Sequence, residues 1–174
     1  MRFKYTGKGK DDVLVVIKNA ETSIAIKSGA PVFLALNGSE DGLQVTSVEA
    51  IGEWQYNLFY GFSIQDILPG AVGEALVFGF CPTIRMLLNT RAAITDDWLS
   101  YPAGNTGDIL FPVTGPNIQA MSVFSSGQYT QSPFFAALAQ SYASGSSTAG
   151  DTSTDNTDTR TAILTNLKAF VRAL

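Results

Sequence analysis

The chain has 174 residues, enough for one domain of ordinary size plus an appendage. Hydrophobic residues make up 45%, charged residues only 15%, and the net charge is −4, with no histidine and a single cysteine, Cys81. This composition excludes an internal disulfide, a histidine-based triad or dyad and an ordinary zinc site. It also argues against a broad phosphate-binding surface.

A charge content this far below the roughly 25% usual for soluble domains leaves little with which to coat a free monomer. Part of the outside is therefore expected to lie against other subunits, the alternative being a monomer made polar by Ser, Thr, Asn and Gln. The charge is uneven. Arg2, Lys4, Lys8, Lys10, Lys18 and Lys27 outnumber Asp11, Asp12 and Glu21 in residues 1–27, a local +3 that leaves −7 for the remainder. That basic edge either meets an acidic neighbour or is a solvated terminus. No secretory h-region is visible and no stretch approaches ~20 apolar residues, so synthesis in the cytoplasm with no membrane step is expected.

In chain order, Val13–Lys18 and Thr22–Lys27 are β-branched runs that read as strands joined by the turn residues Asn19, Ala20 and Glu21. Pro31–Leu36 is a third strand, closed by the polar cluster Asn37–Gly42, and Leu43–Val48 alternates as a half-buried strand should. Residues 49–60 read as a short helix or an irregular crossing, with strand-like aromatics over Asn57–Phe62. Ile67-Leu68-Pro69-Gly70 is a turn, after which Ala75–Phe80 reads as a buried strand with room for a bulge at Gly79. Cys81 follows it as a buried small hydrophobe. Ile84–Leu88 is a short strand or helix and Ala92–Gly107 a loop, while Asp108–Val113 and Ile118–Phe124 are two more strands. Phe134–Ala139 favours a helix started by Ser132 and Pro133.

Residues 1–143 thus form a β-rich core domain, a compact barrel or sandwich with one or two helices. Residues 144–159 are almost all Ser, Thr, Gly, Asp and Asn, the composition of a flexible linker. Over 160–174, Ile163, Leu164, Leu167, Phe170, Val171 and Leu174 recur at spacings of one, three or four residues. This predicts an amphipathic helix, capped by Asp158 or Thr159, too short to stand alone in water and so expected to dock on a partner through that stripe.

Candidates for chemistry are few. Glu49 with Glu53, or Asp96 with Asp97, offer paired carboxylates, and Trp54, Tyr56, Tyr60, Trp98 and Tyr101 offer sugar-stacking rings; solvated acids beside core aromatics explain the same residues. Asp151, Asp155 and Asp158 lack calcium-loop spacing, and Gly7-Lys8-Gly9-Lys10 lacks the phosphate-loop pattern. No enzyme activity, metal, cofactor, nucleic acid or membrane is expected.

Three segments are familiar together: Ser28–Leu34 with its Gly-Ala-Pro-Val start, Phe59–Ser63 with its Gly-Phe-Ser element, and Ile67–Gly79 with its Pro-Gly-Ala-Val-Gly turn. They resemble the β-rich cement, or decoration, proteins of tailed-phage capsids, with a β-tulip-like domain, over roughly residues 22–80. The resemblance implies a non-enzymatic structural virion protein, usually a homotrimer on the outer capsid surface, that stabilises the capsid by clamping neighbouring copies of the major capsid protein. The alternative is another virion component, of tail, fibre or baseplate, with carbohydrate contact.

Overall fold

In a computed structural model, residues 3–5, 12–35, 43–47, 58–88, 98–101, 106–107, 109–113, 119–123, 135–141, 145–148 and 162–173 are described. They form strands, with no α-helix among the described residues. The first six are β1 (Phe3–Tyr5), β2 (Val13–Asn19), β3 (Pro31–Leu34), β4 (Gln44–Thr46), β5 (Phe59–Ser63) and β6 (Val72–Leu88). The rest are β7 (Trp98–Tyr101), β8 (Ile109–Val113), β9 (Ala120–Val123), β10 (Phe135–Leu138), β11 (Gly145–Thr148) and β12 (Ala162–Arg172). The mainly β expectation holds, and the strands close into a barrel.

The pairings trace two five-membered rings that share the 17-residue strand β6. The first ring runs β2-β4-β3-β5-β6 and returns to β2. The second runs β6-β9-β8-β10-β12 and returns to β6. Each ring closes with one parallel seam, β2 with β4 and β6 with β9, and every other pairing is antiparallel. The topology is therefore repeated: β6 ends the first ring and begins the second. A faint sequence echo accompanies it. Leu43-Gln44-Val45-Thr46-Ser47-Val48 and Ile118-Gln119-Ala120-Met121-Ser122-Val123 share Gln, Ser and Val at the same steps. Gly29 and Gly107, each with positive φ, stand two residues before β3 and β8.

β6 can serve both rings because its inward face changes register. Ala75, Leu76, Val77 and Cys81 are buried, with a register shift against β2 between Leu76 and Phe78, and beyond Pro82 the buried positions are Ile84 and Met86. The β12 pairing is irregular at this point, where Leu167 faces Ile84 and Ala169 faces Cys81. Proline lacks the N–H a continuous ladder needs, so it is accommodated at an irregularity. Gly79 has φ 121 and lies against the Asp12 carboxylate. A side chain there would overlap Asp12, whose Oδ1 accepts the Phe80 N–H at 3.1 Å. Among the described residues one contiguous core runs from Val15, Ile17, Val32 and Phe62 through Cys81 and Ile84 to Leu138, Leu167 and Val171.

Polar side chains replace missing ladder bonds where the chain crosses the barrel ends. Thr22–Lys27 is not the expected strand; only Ile26 bridges Ile67. The neighbouring backbone groups are taken by side chains instead. Asn19 Nδ2 donates to Ile24 O and Ile67 O, Gln119 Nε2 donates to Ala25 O, and Gln119 Oε1 accepts the Lys27 N–H. Gln119 thereby ties the first ring to the second.

Three further expectations are corrected. Ile84–Leu88 is not a separate element but the second half of β6. The helix expected over Phe134–Ala139 is strand β10, which pairs with β8 and β12. The helix expected over 160–174 is replaced by β12, paired along β6 from Ala162 opposite Leu88 to Arg172 opposite Phe78. The second half of β6 leaves a row of backbone donors and acceptors that a helix cannot satisfy and a strand can. Of the linker expected over 144–159, Gly145–Thr148 forms β11 against β7, itself within the expected loop Ala92–Gly107; residues 149–159 lie outside the described residues.

Candidate interaction surface

The six residues of the expected docking stripe do not share one face. A helix superposes positions three and four apart, whereas a strand sends successive residues to opposite faces. On β12, Leu167 and Val171 point inward and are buried in the core, as are Ala169 and Ala173 between and beyond them. Phe170 points outward with Lys168 and Arg172. Ile163 pairs with Leu87 and Leu164 with Met86, and Leu174 lies outside the described residues.

The outward face of the second ring carries a different apolar feature. Phe80 on β6 is opposite Phe170 on β12, Phe170 is opposite Ala137 on β10, and Ala137 is opposite Ile109 on β8. These four residues form one row across four adjacent strands, about 14 Å wide at the usual strand spacing. Phe80 is 63% and Ile109 53% exposed. The rings of Phe80 and Phe170 meet edge to face at 5.1 Å, and Phe78 meets Phe170 likewise at 5.5 Å. Phe170 holds Phe80 in place, and the Asp12 carboxylate fixes the Phe80 backbone. Exposed cations Lys168 and Arg172 stand two residues to either side of Phe170, on the same outward face of β12.

A second apolar point lies at the far end of β6. Leu68, 68% exposed, and Val72, 63% exposed, flank the Pro69-Gly70 turn. The cross-strand partner of Val72 is exposed Lys18. Val72 and Phe80 are both outward, eight residues apart on one strand, hence separated by about 26 Å along it.

The chemical candidates are not gathered into a site. Glu49, Glu53, Trp54, Tyr56, Asp96, Asp97, Asp151, Asp155 and Asp158 lie outside the described residues. Tyr60 is buried rather than presented to solvent, and desolvation raises the pKa of its phenol. Cys81 is buried too, and desolvation, with a lesser contribution from the Asp12 charge, pushes its thiol up to about 11, while the thiol donates a hydrogen bond to Thr83 O. A thiol held protonated in this way is a poor nucleophile at neutral pH. Among the described residues no cluster of acids and cysteine is arranged to hold a metal ion, and no helix is long and apolar enough to cross a membrane.

Sequence reasoning missed the row because it treated Ala75–Phe80 as buried throughout. The available signal was alternation: Phe78 and Phe80 fall on the parity opposite to Val77, Gly79 and Cys81. Ile109 and Ala137 gave no such signal, because only pairing between distant strands brings them beside Phe170. No family model matches the chain, and no curated protein matches its sequence.

Proposed function

We propose that this is a non-enzymatic structural virion protein that binds the outer surface of a phage capsid and stabilises it by bridging neighbouring copies of the major capsid protein, acting as a homotrimer. One observation carries the bridging part: two exposed apolar points, at Val72 with Leu68 and at Phe80, stand on one continuous strand about 26 Å apart. β6 is held by β2 and β5 toward the Val72 end and by β12 toward the Phe80 end, so the two points reach separate places on a neighbour, or two neighbours. Low charge content and the resemblance over residues 22–80 to capsid cement proteins supply the rest of the reading.

The physical mechanism is repeated weak burial. Each apolar point contributes about 25 cal/mol per Å² removed from water. Attachment of three linked copies then raises effective concentration at every remaining contact. The test adds purified protein to capsid shells that lack it and follows cosedimentation and shell melting. Saturable binding with a rise of several degrees in shell melting is expected. Shells that neither bind the protein nor gain stability would reject the capsid assignment, and a monomer by light scattering at working concentration would reject the trimer.

A further inference from the structure

We infer that the Phe80–Phe170–Ala137–Ile109 row is a protein-docking face whose partner is a protein surface of different sequence, presenting apolar side chains ringed by carboxylates. This inference rests on the binding role proposed above and names the chemistry at one of its contacts. The repeated topology isolates the face. β5 and β10 hold equivalent places in the two rings, yet all five residues of β5 are buried, whereas Ala137 of β10 is half-buried. The equivalent face is thus more fully covered in the first ring than in the second.

Charge decides between occupants. Lys168 and Arg172 are exposed and straddle the row's central ring, in a protein whose net charge is −4. Placing two copies row to row about a two-fold axis would bring both pairs of these cations together against only the Asp12 carboxylate beside each Phe80, which already accepts the Phe80 N–H. A carboxylate-rimmed apolar surface meets them with opposite charge. Area points the same way. Phe80, Ile109 and the open parts of Phe170 and Ala137 present roughly 250 Å², taking a large side chain as 150–250 Å². A stable one-to-one interface needs about 800 Å² from each partner. The row is thus too small to hold an isolated dimer and suits one contact among several repeated on a large assembly.

The experiment compares the full chain with Phe80→Ser, Ile109→Ser and the double variant Lys168→Glu/Arg172→Glu, all four altered positions being exposed. Two probes are used: capsid shells lacking the protein, and anilinonaphthalene sulfonate, a small aromatic that bears a negative charge. The wild type is expected to bind both. Phe80→Ser and the double charge variant are expected to lose at least about tenfold in affinity for each, as central aromatic and charge-pair changes do. Variants that bind both probes within twofold of the wild type would overturn the inference. So would a light-scattering mass that falls in Phe80→Ser, which would make the row a contact between copies of this chain. Preference for phosphatidylserine vesicles over shells would overturn it as well. Dye binding that depends on the row without any shell binding would reject the capsid assignment and leave the chemistry of the row standing.

Discussion

Asn19 closes the first ring, and its replacement by alanine tests how. The side chain is fully buried at the parallel seam between β2 and β4. Its Nδ2 donates to Ile24 O at 2.9 Å and Ile67 O at 3.0 Å, and its Oδ1 accepts the Glu21 N–H at 2.9 Å. Alanine removes all three bonds. Ile67 O keeps the Ile26 N–H, so the unmet cost falls on Ile24 O and the Glu21 N–H, both in half-buried residues that water partly reaches. At about 1 kcal/mol net for each bond, with that relief, the loss is about 2–3 kcal/mol. For a chain of this length it corresponds to a fall in Tm of about 5–10 °C. Urea unfolding followed by tryptophan fluorescence should show a lower midpoint at unchanged slope. Asn19→Asp sharpens the test. It keeps the acceptor for Glu21 but turns a carboxylate onto two carbonyl oxygens in a buried site. That variant should be less stable than Asn19→Ala at pH 7 and should recover as the pH is lowered and the carboxylate is protonated. A loss below about 0.5 kcal/mol in Asn19→Ala, with Asn19→Asp equally stable, would refute the claim that this side chain substitutes for ladder bonds.

Gly61→Ala should be among the most damaging single changes: φ is 132 and a Cβ would overlap the backbone carbonyl of Leu76 on β6. Strand separation or left-handed strain then costs about 3–5 kcal/mol, read as loss of soluble protein or a much lower melting temperature, and a variant melting within a degree or two of wild type would count against the geometry. Cys81 predicts an alkaline effect, with its thiol raised from 9.0 to about 11 by burial. Between those values the unfolded chain releases a proton that the folded chain keeps, so stability falls as pH rises, by about 2–3 kcal/mol in all, and is unaffected below pH 9. Subtracting the pH profile of Cys81→Ala isolates this component, and identical profiles would show that the thiol is not desolvated.

Alternating, β-branched or aromatic composition located β2, β3, β4, β5, β8 and β9 to within a few residues, and on β2 the one buried face writes its burial into every second position. Val15 and Ile17 on β2 are buried, with Val16 and Lys18 more exposed between them. The same local information misread β12. Ile163, Leu164, Leu167, Phe170, Val171 and Leu174 fit a helical stripe, and nothing within the segment says that Ala169 and Ala173 are core residues. Ala169 is buried opposite Cys81 in the sheet, a neighbour 88 positions away in sequence. Thr22–Lys27 failed for the converse reason: its composition suits a strand, but side chains of Asn19 and Gln119 claim the backbone groups that a neighbouring strand would have used.

What the amino-acid order alone determined was the mainly β class, the buried cysteine and a low charge content, since each depends on composition or on residues a few steps apart. The shared strand β6, the repeated ring and the aromatic row were decided only by tertiary structure. Each arises from pairing between segments separated by tens of residues, and hydrogen-bond demand along the open half of β6 overrides a local helical pattern that has no partner of its own.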